Sequence, residues 1–180
     1  MKHWMNKPLA RACALALLMA ASAWPAQAAA SPDSARPNAA EIRTFDASSM
    51  ARIKAAYAGR PFIVHFWGLT CGPCMAELPA LARFARQHPD IPLVLVQSDE
   101  APPQAASDAL HSAGLAPTES WSVDGPMDEF LRATVDRKWV GDLPRTQLID
   151  ARGQVLTQRG ALQFDAVRDW WKLQAPTVRR

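Results

Sequence analysis

The stretch PFIVHFWGLTCGPCMAELPAL, residues 61–81, constrains the fold more tightly than any other part of this chain. Pro61 to Trp67 is a nearly continuous apolar run with β-branched Ile63 and Val64, as in a strand covered on both faces. Beyond it, Cys74, Leu78, Leu81 and Ala85 recur at helical spacing, with Arg83, Arg86 and Gln87 placed to face solvent and Pro79 expected to kink the helix. A strand feeding through Cys71-Gly72-Pro73-Cys74 into a helix puts Cys71 at or just before the helix N-terminus. Unpaired N–H groups and the helix dipole there favour a thiolate, so the Cys71 thiol is expected below the free value of about 8.5. Cys71 is the predicted nucleophile. Cys74 lies one turn inside the helix, where the i, i+3 spacing suits a disulfide and lets its thiol attack a mixed disulfide on Cys71. Cys74 is the predicted resolving thiol. A structural staple gains most by closing a long loop, and a three-residue separation gains little.

The first 28 residues carry Lys2, Lys7 and Arg11, then an apolar run from Ala12 to Trp24, then Ala26-Gln27-Ala28. This is the layout of an export signal cleaved after Ala28. The run of roughly 13 residues is short of the about 20 that a membrane span needs, and retention as a membrane anchor is the alternative. Cys13, at the start of that run, leaves with the signal. Three of the 20 Lys and Arg lie in the leader and none of the 17 Asp and Glu, so the remainder is balanced in charge. That gives no reason to expect a nucleic-acid partner. Export implies an oxidising, periplasmic compartment, in which the two remaining cysteines can form one bridge, Cys71–Cys74. No cofactor is expected. A structural zinc site needs four ligands, and the sequence has no second Cys-x-x-Cys or His pair, so no metal is expected either.

Residues 29–40 are small, polar and Pro-containing, a flexible lead-in. One domain, 41–176, should follow, with 177–180 as a tail. Ile42 to Phe45 reads as a strand, and Ser48 or Ser49 can cap a helix with Met50, Ile53 and Tyr57 on its apolar face, stopped by Gly59. Pro92 to Gln97 is a second buried strand, Gln104 to Ala113 a helix, Trp121 to Val123 a short additional strand, and Pro126 to Val135 a helix. Thr146 to Ile149 and Val155 to Arg159 form a hairpin about Asp150–Gly153, and a last helix carries Val167, Trp170, Trp171 and Gln174. This order predicts an α/β fold, a mixed central sheet with helices on both faces.

FWGLTCGPC with its preceding strand resembles the thioredoxin active site. Gly141-Asp142-Leu143-Pro144 ahead of Thr146–Asp150 resembles the cis-proline loop of that superfamily. The export signal, the Cys74-Met-Ala-Glu77-Leu-Pro79 continuation and the long segment before Pro144 are most similar to the periplasmic TlpA/ResA-type disulfide reductases. The resemblance covers roughly residues 41–175. It implies a thioredoxin-like fold with a βα-type insertion before the cis-Pro hairpin. Pro144 would be cis beside the disulfide, with the Leu143 and Arg145 backbone pairing to an extended substrate. Gly72, Pro73 and Trp67 would flank the substrate, although an aromatic at a strand end is more often packing. Thioredoxin has a buried aspartate where this chain has His65, so His65 is either an acid/base group for the second cysteine or a hydrogen-bonded core histidine. Glu77 matches a glutamate near the active site of ResA-like reductases, a second candidate acid/base group against a plain solvated helix position. Thr70 replaces the thioredoxin tryptophan and trims an apolar contact surface.

The function implied is a periplasmic thiol–disulfide oxidoreductase, working as a monomeric disulfide reductase on client proteins of the envelope, apocytochrome c among them. A membrane-embedded thiol–disulfide donor would recharge it. The Gly-Pro dipeptide goes with a potential of about −270 mV, against about −120 mV for DsbA, yet it is one determinant among several. A thiol oxidase or isomerase is therefore the nearest alternative. A copper-binding chaperone is a further one, for which the count of soft ligands is short.

Overall fold

The computed structural model describes residues 42–174. The predicted signal (1–28), lead-in (29–40) and tail (177–180) lie outside the described residues. Six strands form one sheet: β1 (Ile42–Phe45), β2 (Phe62–Trp67), β3 (Leu93–Gln97), β4 (Glu119–Val123), β5 (Arg145–Ile149) and β6 (Val155–Arg159). Its order is β1-β4-β3-β2-β5-β6. The pairs β1/β4, β4/β3 and β3/β2 are parallel, and β2/β5 and β5/β6 are antiparallel. The five helices are α1 (Ser49–Ala56), α2 (Gly72–Gln87), α3 (Pro103–Ala113), α4 (Glu129–Val135) and α5 (Phe164–Gln174).

Alternation along the central strands divides the core in two. Ile63 and Trp67 of β2 join Leu78 and Leu81 of α2, Leu110 of α3 and Val167 of α5 on one face. Phe62, Val64 and Phe66 join Met50 and Ile53 of α1 and Val135 of α4 on the other. Strand β2, nearly all apolar in sequence, is thus covered on both sides, as are its neighbours β3 and β5. Strand β4, expected as a short addition, is a full member of the sheet between β1 and β3. Pro79 lies inside α2 without ending it, leaving the Met75 carbonyl without its usual N–H donor four residues on.

Two helix starts differ from expectation. Ser48 and Ser49 do not cap α1 through their hydroxyls. Instead the Asp46 carboxylate accepts from the Ser48 N–H (2.8 Å), the Ser48 hydroxyl (2.7 Å) and the Ser49 hydroxyl (3.0 Å), and these bonds hold its carboxyl well below the usual range. Helix α4 begins at Glu129 rather than near Pro126, because the Asp128 carboxylate accepts the Leu131 N–H at 2.8 Å and caps it there. The hairpin turn forms as expected, with the Gly153 N–H donating to the Asp150 carbonyl at 2.9 Å.

Candidate functional site: the start of the second helix

Strand β2 ends at Trp67, and a turn closed by the Cys71 N–H on the Gly68 carbonyl (3.3 Å) delivers the chain to α2. Cys71 is the N-cap residue, and its sulfur accepts the Cys74 N–H at 3.2 Å. Pro73 in the first turn gives up an N–H that would have no helical partner there. The two sulfurs are bonded, with Cα atoms 5.2 Å apart. Exposure is asymmetric: Cys71 is half-buried, Gly72 and Pro73 are exposed, and Cys74 is fully buried.

Glu77 and His65 meet beneath the helix. His65 faces the side of β2 that carries Ile63 and Trp67, directly opposite Thr146 in the β2/β5 register. Its Nδ1 is 2.9 Å from the Thr146 hydroxyl. Its Nε2 is 3.2 Å from Glu77 Oε1, close enough for an ion pair but without hydrogen-bond alignment, so both atoms lack a hydrogen-bond partner. The other Glu77 oxygen accepts the Leu162 N–H at 2.8 Å, tying α2 to the segment before α5. Glu77 is 8% exposed, which removes the solvated reading. The imidazole is both a core group and a neighbour of a buried carboxylate.

A second polar group reaches the site from the turn just past β3. The Asp99 carboxylate accepts from the Thr70 N–H (2.6 Å) and the Thr70 hydroxyl (2.8 Å), and Gln97 donates to it. Gln97 in turn accepts from the Ser122 hydroxyl of β4. Burial pushes the Asp99 carboxyl up, but the donors from Thr70 and Gln97 outweigh it and hold it below the ordinary value. Sequence reasoning missed this group. Its signal is the polar run Gln97-Ser98-Asp99 closing an otherwise apolar strand, with Gln97 in register with Trp67.

The Leu143–Pro144 peptide is cis, Pro144 is buried, and its carbonyl accepts the Gly160 N–H at 2.9 Å. Leu143 is half-buried and packs against both cores. Two expected substrate contacts need correction. Trp67 has no exposed surface and belongs to the core with Cys74, because its strand lies in the middle of the sheet and its indole points under α2. It therefore cannot flank a client. Arg145 sits between β2 and β6, opposite Phe66 and Arg159, so its backbone serves the sheet. Its guanidinium is turned inward, pairing with Asp136 and Asp142 over the Trp139 ring.

Among the described residues, no group of three or more His, Cys, Asp or Glu is arranged to hold a metal ion. Also among them, no helix is long and apolar enough to cross a membrane. No protein-family model matches the chain, and no curated protein does. Solved structures do. StoA from Bacillus subtilis is 25% identical with a TM-score of 0.50, covering 63% of this chain and 84% of that one. A secreted Mycobacterium tuberculosis disulfide oxidoreductase homologous to E. coli DsbE is 22% identical, with a TM-score of 0.52 over 64% and 82% of the two chains. A thiol:disulfide interchange protein of the thioredoxin family from Chlorobium tepidum is 18% identical, with a TM-score of 0.54 over 67% and 83%. The chain has the thioredoxin-like fold, and its second helix opens on a Cys-x-x-Cys disulfide.

Proposed function

We propose that this protein is a thiol–disulfide oxidoreductase of the periplasm that reduces disulfides in client proteins. The observation that carries the reading is the asymmetry of the pair at the start of α2: Cys71 reaches the surface and Cys74 does not. In the reduced protein the Cys71 thiolate attacks one sulfur of a client disulfide. A mixed disulfide forms, and the other client sulfur departs as a thiolate and takes up a proton. Cys74 then loses its proton, with Glu77, one helical turn further on, and His65 beside it as the buried acceptors, and attacks the Cys71 sulfur. The second client thiol leaves, and Cys71–Cys74 is again a disulfide, two electrons having passed to the client. A membrane-embedded dithiol donor returns those electrons.

Exposed Gly72 and Pro73 and the Leu143–Pro144 loop form the surface offered to an extended client segment. Among the described residues, the Leu143 N–H and carbonyl find no hydrogen-bond partner within the protein, so they are available to such a segment. Apocytochrome c is one client class consistent with this chemistry. The signal-like leader and the secreted character of one structural neighbour support an exported protein.

The direction is tested by the reduction potential of the mature domain in glutathione buffers, followed by tryptophan fluorescence. A value well below the about −180 mV of protein disulfide isomerase supports a reductase, and one near the about −120 mV of DsbA makes the protein an oxidase or isomerase instead. Cys74→Ser trapping a mixed disulfide with client proteins, while Cys71→Ser traps none, tests the order of attack.

A further inference from the structure

We propose that Asp99 is a positioning residue that keeps the Cys71–Cys74 couple reducing, by placing a fixed negative charge on the turn that presents Cys71. The inference rests on that pair being the redox couple described above. The carboxylate is bound to the backbone of Thr70, the residue next to Cys71, at 2.6 Å, and to its hydroxyl at 2.8 Å. The turn is shaped to admit it. A Cβ at Gly68 would stand 2.9 Å from the Asp99 carboxyl carbon and 3.0 and 3.1 Å from its oxygens, so a side chain there would expel the carboxylate. From below, the Gln97 amide donates to the same carboxylate while Ser122 holds Gln97 in turn.

The consequence is electrostatic. None of the ion pairs among the described residues includes Asp99, so its charge is dispersed over neutral donors and not cancelled. The Thr70 N–H is committed to it. A neighbouring anion disfavours a second anion. The reduced protein with a Cys71 thiolate is therefore less stable relative to the disulfide, and electrons are more readily given away. Of the other titratable side chains, Glu77 lies one turn beyond Cys74 on α2 and His65 of β2 lies beside Glu77, both buried, whereas Asp99 is half-exposed beside the turn.

Two variants test this on the whole mature protein, with glutathione as the redox probe. Asp99→Asn keeps a carbonyl to accept the Thr70 N–H and removes the charge, and Gly68→Ala keeps the charge and pushes it away. Each is expected to raise the dithiol-to-disulfide ratio at fixed glutathione poise by about three- to tenfold, tenfold being about 30 mV. Each also lowers the Cys71 pKa, read from the pH dependence of its alkylation, by about half a unit to one unit, the shift that a three- to tenfold change in ratio requires. A merely structural role would change the melting temperature and leave both readouts in place. The proposal is overturned when a folded variant keeps the wild-type ratio within about twofold, or shifts it the other way. Should neither variant fold, the carboxylate is a structural group and the proposal fails too. A wild-type protein that does not exchange with glutathione refutes the redox reading itself, a separate outcome.

Discussion

Glu77 divides its two oxygens between two tasks. One is fixed by the Leu162 N–H, and the other stands 3.2 Å from the His65 imidazole without a hydrogen bond of its own. A buried acceptor left unaligned costs about 1–3 kcal/mol, and this one lies one helical turn beyond Cys74, which makes it the carboxylate to test. Substituting Glu77→Gln keeps an oxygen for Leu162 and removes the carboxylate. We expect melting close to wild type and release of the second client thiol slowed about a hundredfold, measured by stopped-flow fluorescence on a model disulfide. Glu77→Ala, which also orphans the Leu162 N–H, should in addition lose about 1–3 kcal/mol in urea unfolding. An undiminished rate in the glutamine variant would leave Glu77 a structural anchor. The cysteine pair at a helix start is legible because spacing along one strand and one helix is a local property, whereas His65 and Glu77 stand out only through the family resemblance. Asp99 was not, since it reaches Thr70 across 29 residues and its direction depends on how β3 lies beside β2. Trp67 takes the packing role that the sequence leaves open beside the substrate contact, because a sequence cannot tell which end of an apolar run is covered by a helix.

The segment from α4 to β5 is held by a charge cluster as well as by apolar packing of Val135 and Trp139, which bears on the loop carrying Pro144. Arg145 is 3% exposed and pairs with Asp136 and Asp142, while Asp142 also accepts from Arg159 at 2.8 Å. Replacing Arg145 by Met leaves two carboxylates facing each other in a partly dry site. A loss of about 3–5 kcal/mol is expected in urea unfolding at neutral pH. Burial pushes the Asp142 carboxyl up, but the Arg159 hydrogen bond and the charges of Arg145 and Arg159 outweigh it and hold it below the ordinary value. A depressed carboxyl contributes stability above its unfolded pKa of about 3.9 and loses it as pH falls through the folded value. Asp142→Asn should therefore flatten the acid limb of stability below about pH 4. An acid limb identical to wild type would place the cluster outside the stability balance. The elements themselves were largely visible in the sequence, because periods of two and 3.6 and turn residues such as Asp150–Gly153 are local. The start of α4 was misplaced because Pro126 and Asp128 are both good starting signals, and which one begins the helix is settled by the Leu131 N–H that Asp128 captures.

At the scale of the molecule, the sheet order could not be derived from strand patterns, because β1 pairs with β4 across more than half of the described chain. That long-range pairing has one side-chain clasp. Glu119 of β4 accepts from Tyr57 at 2.8 Å, just past α1, from Arg43 of β1 at 3.3 Å and from the Trp121 indole at 3.0 Å. Tyr57 also stacks on Phe62 with ring centroids 4.6 Å apart. It is the single tyrosine of the sequence, so its ionisation can be followed by absorbance without mutation. Burial first, then the hydrogen bond to Glu119 and that residue's charge, push its hydroxyl up to about 12. The ordinary value is about 10. The folded state thus holds a proton between those values that the unfolded chain has released. The contribution is fully present below about pH 10 and is lost as pH rises towards about 12. In the native protein the tyrosinate absorbance should rise with a midpoint near 12, and in concentrated urea near 10. The urea midpoint should fall across that interval in the wild type and much less in Tyr57→Phe. A native titration centred near 10 would mean that the phenol is open to water, and that the clasp between β1, β4 and the end of α1 does not hold in solution.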